Sequence, residues 1–222
     1  MMPLRTIRMH LATHRVALIS IMACSLLAST SLAAPAANPA APPSNARSLS
    51  FGGTTYVHRW SQNGQNEFTP PNDADLARWR DMVTINVHDN VRDGDDLAAL
   101  ANGVLGNYRK FGKIVRTDSK PRTAQHPAEH LVVAVLGDAG FLEAAFARFV
   151  LVDGGAQVIV YSHRIYDSKA GDAMSQWLAA NGPSIEQTLM GWDKAPSIAA
   201  LKKLPQNTAK STPSPRPSPA KR

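Results

Sequence analysis

The stretch EHLVVAVLGDAGFLEAAFARFVLVDGGAQVIVYSHRIY, residues 129–166, decides the fold. It is an almost unbroken apolar run, rich in Val, Ile, Phe and Tyr and cut by short turn-forming clusters. That pattern reads as three strands, Glu129–Leu136, Phe141–Val152 and Gln157–Tyr166. Asp153-Gly154-Gly155 joins the last two as a hairpin, so these strands pair antiparallel. Residues 141–148 carry three alanines, a leucine and a glutamate and have helical propensity. They read as strand because Phe149-Val-Leu-Val152 runs straight on into the hairpin.

Upstream, Asp95–Phe111 is the best helix. Asp93 or Asp95 supplies its cap, and Leu97, Leu100, Ala101, Val104, Leu105 and Tyr108 form one apolar stripe. Arg109 and Lys110 suit its last turn, and Gly112 ends it. Lys113–Asp118 is a short strand, and residues 119–127 form a loop. Nearer the start, residues 48–60 read as one strand, Asn63-Gly64 as a turn and residues 65–69 as a return strand stopped by Pro70-Pro71. Asn72 or Asp73 is expected to cap a short helix through Trp79, and Met82–His88 alternates as a half-buried strand. Downstream, a helix over Asp172–Ala180 is expected to end at Asn181-Gly182. Pro183 then opens a second short helix to Met190, and residues 197–203 add a last turn.

The sum is an α+β fold: an antiparallel sheet packed with helices as a layered α/β/α sandwich, in a single domain with disordered ends. The element order over residues 48–190, with the Phe149-Val-Leu-Val-Asp-Gly154 hairpin and the following Val158-Ile-Val-Tyr161, resembles the exported PsbP, Mog1 and DcrB-like group. That resemblance implies an antiparallel sheet between helices and a non-enzymatic accessory or binding role, and it brings no catalytic residues with it.

The ends set the compartment. Arg5, Arg8 and Arg15 precede an apolar run from Val16 to about Leu32, closed by Ser31-Leu32-Ala33. Residues 1–33 therefore read as an export signal. Ile21-Met22-Ala23-Cys24 offers an alternative, a lipobox with Cys24 lipidated, and a single uncleaved span is a third reading. Residues 34–46 form a Pro/Ala-rich linker, residues 47–203 the domain, and residues 204–222 a basic, Pro/Ser-rich tail. The expected location is the periplasm or the medium, or the membrane if Cys24 is acylated. Cys24 is the sole cysteine, so the mature domain has neither disulfide nor thiol chemistry. The net charge of +7 belongs to the ends: residues 35–201 hold 15 Lys and Arg against 17 Asp and Glu. The high charge is therefore no evidence for a nucleic-acid-binding domain, which needs a basic face on the fold, and no nucleic-acid partner is expected. The tail itself suits contact with an anionic surface, or is simply solvated.

Few residues suggest chemistry. His126-Pro-Ala-Glu129-His130 has the H-x-x-E-H form of a zinc-protease motif, but Pro127 and the strand after His130 place it at a loop–strand junction. His126 and His130 are therefore only weak metal candidates. Tyr56-Val-His58-Arg and Tyr161-Ser-His163-Arg164 share a Tyr-x-His-Arg pattern. On a strand, Tyr and His two apart share a face. If the first and last strands meet, Tyr56, His58, Tyr161 and His163, with Arg164 and Tyr166 nearby, would line one ligand-binding patch. The alternative is an ordinary half-exposed sheet face. Ser119-Lys-Pro-Arg-Thr123 is a basic loop, suited to an anion or merely solvated. Asp93, Asp95 and Asp96 lack EF-hand spacing and are explained by capping, and Trp60, Trp79, Trp177 and Trp192 read as packing. No G-x-S-x-G, nucleotide loop or H-E-x-x-H occurs. The expected function is a non-enzymatic binding or accessory protein of the bacterial envelope, needing no cofactor and partnered by an envelope protein or small ligand. The alternative is a small exported hydrolase or metal-dependent enzyme built on His126, Glu129 and His130, or on His58 and His163.

Overall fold

The computed structural model describes residues 46–138, 140–167 and 169–207. The segment expected to be an export signal, Cys24, nearly all of the expected linker and residues 208–222 lie outside these described residues.

All eight strands form one antiparallel sheet, in the order β1-β2-β3-β4-β8-β7-β6-β5. The strands are β1 Ser48–Phe51, β2 Thr54–Gln62, β3 Gln65–Thr69, β4 Asp81–His88, β5 Gly112–Lys120, β6 Glu129–Asp138, β7 Phe141–Val152 and β8 Gly155–Ile165. The helices are α1 Gly94–Phe111, α2 Ala170–Met190 and the single turn α3 Ile198–Leu201. β1–β4 and β5–β8 are two up-and-down meanders. From β4, in the middle of the sheet, α1 carries the chain to the far edge at β5, and the second meander returns until β8 pairs with β4.

Alternation along the strands divides the core between two faces. On one face Phe51, Tyr56, Phe68, Ile85, Phe146, Ile159 and Tyr161 pack with Met174 and Leu189 of α2 and with Trp192, Leu201 and Leu204 beyond it. On the other, Val132, Ala147, Phe149 and Val158 pack with Leu97 and Ala101 of α1. Adjacent pairs such as Val132/Val133 and Val158/Ile159 point to opposite faces, as a sheet buried on both sides requires. The alanines of residues 141–148 do not make a helix. β7 lies between β6 and β8, and Ala144, Ala145 and Ala147 are buried in the sheet. Asp93 caps α1, its carboxylate accepting from the N–H groups of Asp95 (3.0 Å) and Asp96 (2.9 Å).

Four expectations need correction. Residues 48–60 form two strands, because Gly52 and Gly53 (φ 55° and 79°) make the mirror-image turn that suits a two-residue hairpin. Residues 72–79 form no helix. Asp73 instead accepts from the backbone N–H groups of Arg80 (2.6 Å) and Asp81 (3.2 Å), folding the segment into a loop against β4. α2 runs unbroken through Pro183. Pro183 leaves the helix one N–H short, but Met174, Trp177, Leu178, Ile185 and Leu189 form one stripe across it that stays packed on the sheet. The Asn181 side chain donates to Trp177 O (2.9 Å) and the Ser184 hydroxyl to Asn181 O (2.9 Å), occupying carbonyls near the interruption. β5 also extends to Lys120, two residues past the expected end.

A buried arginine ties α2 to the sheet. Arg148 sits on the α2 side of β7 and donates to Glu129 Oε2 (2.7 Å), Leu189 O (3.0 Å) and Trp192 O (2.7 Å). Lys120 donates to Met190 O. Cations thus meet the carbonyls left over at the end of α2.

Candidate functional site

A cleft of about 690 Å³ opens where β4 begins and β8 ends, walled by the loop before β4. Its wall is built from backbone outward. Arg164 N donates to Arg80 O (2.8 Å), extending the β4–β8 ladder by one bond into the loop. The Tyr166 hydroxyl donates to Trp79 O (2.7 Å). These bonds bring Arg78, Trp79 and Arg80 against the end of β8.

Arg164 is held in a stack. Its guanidinium lies 3.8 Å from the Trp79 ring centre and 4.1 Å from that of Phe141, and its Nε donates to Glu143 Oε2 (2.8 Å). Arg78 lies over Tyr166, 5.0 Å from the ring centre. Guanidinium groups over aromatic faces gain from the ring quadrupole and lose little hydration. Arg78 and Arg80 are exposed and join no ion pair among the described residues.

Each carboxylate lining the cleft has one oxygen engaged internally. Asp73 takes two backbone N–H groups, and Asp81 Oδ1 takes the Tyr161 hydroxyl (2.8 Å) and His163 Nδ1 (2.8 Å). Burial first, then the Asp81 charge and hydrogen bond, and then Tyr56 push the Tyr161 phenol far above its ordinary value. Tyr161 therefore remains an O–H donor to Asp81. His163 lies flat on Trp177, ring centres 4.0 Å apart and planes within 2°. The cleft thus offers arginine donors backed by aromatic rings, with one oxygen of each lining carboxylate engaged internally.

The structure brings together part of the Tyr-x-His-Arg set. His163 and Arg164 line the cleft together with Tyr166, while Tyr161 is buried behind it and reaches it only through Asp81. Tyr56 is on the same sheet face but in the core, edge-on to Phe51, which in turn packs on Tyr161. Burial and the Asp81 charge raise its phenol as well. His58 is elsewhere, since β3 and β4 separate β2 from β8. Its Nε2 contacts Ser61 Oγ (2.7 Å) and its ring packs edge-on to Phe68. Burial pushes its imidazole below 6.5, a backbone bond at Trp60 opposes this, and Arg47 adds to it. This Ser–His contact is closed to substrate. Ser61 is fully buried and its hydroxyl also faces Asn66 Oδ1 (2.7 Å), while the Asn66 amide donates to Gly64 O and Ile85 O.

His126, Glu129 and His130 do not converge on one point. His126 is in the exposed loop, Glu129 holds Arg148, and His130 Nδ1 contacts Ser119 Oγ (2.9 Å). Among the described residues no group of His, Cys, Asp or Glu is placed to hold a metal ion. Of the expected basic loop, Ser119 and Lys120 belong to β5, and Lys120 reaches Glu129 (3.4 Å) and the end of α2. Reading from sequence missed Asp73, Arg78, Arg80 and Asp81, and took Trp79 for packing alone. The available signal was Arg78-Trp-Arg-Asp81, an Arg–Trp–Arg run within a domain that is otherwise slightly acidic.

The chain is similar to the crystal structure of the Saccharomyces cerevisiae Ran-binding protein Mog1p, at 11% identity and a TM-score of 0.36, over 63% of this chain and 87% of that one. No protein-family model and no curated protein matches it.

Proposed function

We propose that the protein is an exported, non-enzymatic binding or accessory protein of the bacterial cell envelope, whose cleft beside Trp79 takes a small anionic ligand. One observation carries the ligand class: Arg78 and Arg80 line the cleft with no ion-pair partner among the described residues, while one oxygen of Asp73 and one of Asp81 each already accept two internal hydrogen bonds. Arginine forks suit carboxylate and phosphate. The export reading rests on residues 1–33, and the accessory role on the element order that resembles the PsbP, Mog1 and DcrB-like group. Lipidation at Cys24 is the tethered form of the same proposal.

The test is titration of the purified protein with inorganic phosphate, citrate and glucuronate, followed by calorimetry. Saturable binding by at least one, weakened about tenfold or more in Arg78→Ala/Arg80→Ala, supports the reading. Absence of binding by all three, or affinity unchanged in the double variant, refutes it. The intact mass of the protein from its native host tests export separately.

The Asp81–His163 contact favours a second reading, a small hydrolase. Asp81 would hold His163 by Nδ1 and leave Nε2 as a base toward water. Turnover of ester or phosphoester substrates that disappears in His163→Gln would establish it, and no turnover removes it.

A further inference from the structure

We propose that the corner where α1 runs into β5 is a docking surface for anionic lipid bilayers. Phe111 and Val115, 44% and 49% exposed, are the exposed large hydrophobic residues among those described, and only four positions separate them. Arg109, Lys110, Lys113 and Arg116 interleave with them, all exposed. The acids nearby, Asp118 and Glu186, both pair with Arg116 (2.8 Å and 3.1 Å), so Arg109, Lys110 and Lys113 have no acidic partner among the described residues.

The local backbone builds this display. The β5–β6 register passes from Ile114 opposite Ala134 to Arg116 opposite Val133, so Val115 is the extra residue of a bulge. A bulge re-aims its side chain, and here it does so on the outermost strand of the sheet. Gly112 fixes the preceding turn. A Cβ there would lie 2.1 Å from Val135 O, so the junction closes on β6 only without a side chain, and Phe111 is left at the outer end of α1.

Charge complementarity selects the partner. Basic residues around a small exposed apolar pair match a negative headgroup layer over an acyl boundary. A protein strand added along β5 fits less well, because the bulge breaks the edge ladder and Lys113 and Lys120 flank it, both devices that discourage strand addition. The proposal does not depend on the ligand cleft, which lies at the end of β4 and β8.

The experiment is co-sedimentation of the full chain with vesicles of phosphatidylglycerol and phosphatidylcholine in equal parts, against pure phosphatidylcholine. We expect salt-sensitive, saturable association with the anionic vesicles, about tenfold or more above the neutral ones. Phe111→Ser/Val115→Ser and Lys110→Glu/Lys113→Glu should each weaken it about fivefold or more, with circular dichroism unchanged because these side chains are exposed. A tail variant, Lys210→Ser/Arg216→Ser/Lys221→Ser/Arg222→Ser, should weaken it less than about twofold. A polarity-sensitive fluorophore on Val115→Cys, in a Cys24→Ser background, should report an apolar environment on anionic vesicles. No vesicle association, association equal to the unmodified chain in both corner variants, loss in the tail variant alone, or an unmoved fluorophore each overturns the proposal.

Discussion

Replacing Arg148 by methionine should destabilise the protein more than any surface substitution. The Arg148 side chain is 8% exposed and supplies three hydrogen bonds, one to Glu129 and two to carbonyls at and beyond the end of α2. Methionine keeps much of the volume and none of the donors. Glu129 then retains only the longer contact to Lys120 at 3.4 Å, and Leu189 O and Trp192 O lose this donor in a buried place. Breaking a buried pair from one side costs about 3–5 kcal/mol, and the Trp192 carbonyl left without this donor about 1–3 kcal/mol, partly counted in the same figure, while Leu189 O keeps the Trp192 N–H at 3.3 Å. A loss of about 4 kcal/mol is a large share of a typical total of roughly 5–15 kcal/mol. It should lower Tm by about 8–16 °C for a domain of this size. Urea unfolding followed by circular dichroism at pH 7 measures it. Arg148→Lys should fall between, because one ammonium cannot reproduce the fork that reaches carboxylate and carbonyls together. Arg148→Met/Glu129→Leu should recover part of the loss, since no stranded carboxylate remains. A loss below about 1 kcal/mol for Arg148→Met would refute the idea that this arginine holds α2 to the sheet.

Two glycines should respond in opposite directions to alanine. Gly112→Ala drives a Cβ into Val135 O at 2.1 Å and should cost about 1–3 kcal/mol in urea unfolding, whereas Gly103, exposed in α1 with nothing within 4 Å, should gain about 0.5–1 kcal/mol. Burial lowers both His58 and His88 below the ordinary 6.5, so the unfolded chain binds protons first as pH falls. The stability they contribute is complete above about 6.5. It declines below that and levels off once the folded histidines also protonate. His58→Gln should flatten this part of a Tm-versus-pH curve, and an unchanged curve would contradict the assignment.

Much of the fold was legible because burial on both faces leaves an unmistakable apolar record. Val132 and Val133 point opposite ways and both are core, so the run loses alternation and reads as strand from its Val, Ile, Phe and Tyr content and its turn boundaries. α1 was legible from its cap and stripe. Pairing order was not, because period-two alternation says which face a residue takes and nothing about which strand lies beside it. Tyr56-Val-His58 and Tyr161-Ser-His163 show the limit: each tyrosine is on the α2 side, as the spacing requires, yet two strands intervene between β2 and β8. Pro183 misled for a different reason. Local chemistry favours a break there, and the packed stripe on either side outweighs it. The cleft was the least visible, since Arg78-Trp-Arg80 acquires meaning only when Arg164 and Tyr166 are laid against it.

The place of β8 governs when this molecule can become whole. The last strand made is the one that lies between β4 and β7, and it supplies the seam joining the two meanders. A nascent chain that has not yet passed Gly155 holds two partial sheets with their inner edges bare, neither able to shield the other. Slow, long-range closure of β4 on β8 is therefore the expected bottleneck of folding. Until it occurs, β4 and β7 are the strands most in need of a chaperone's cover.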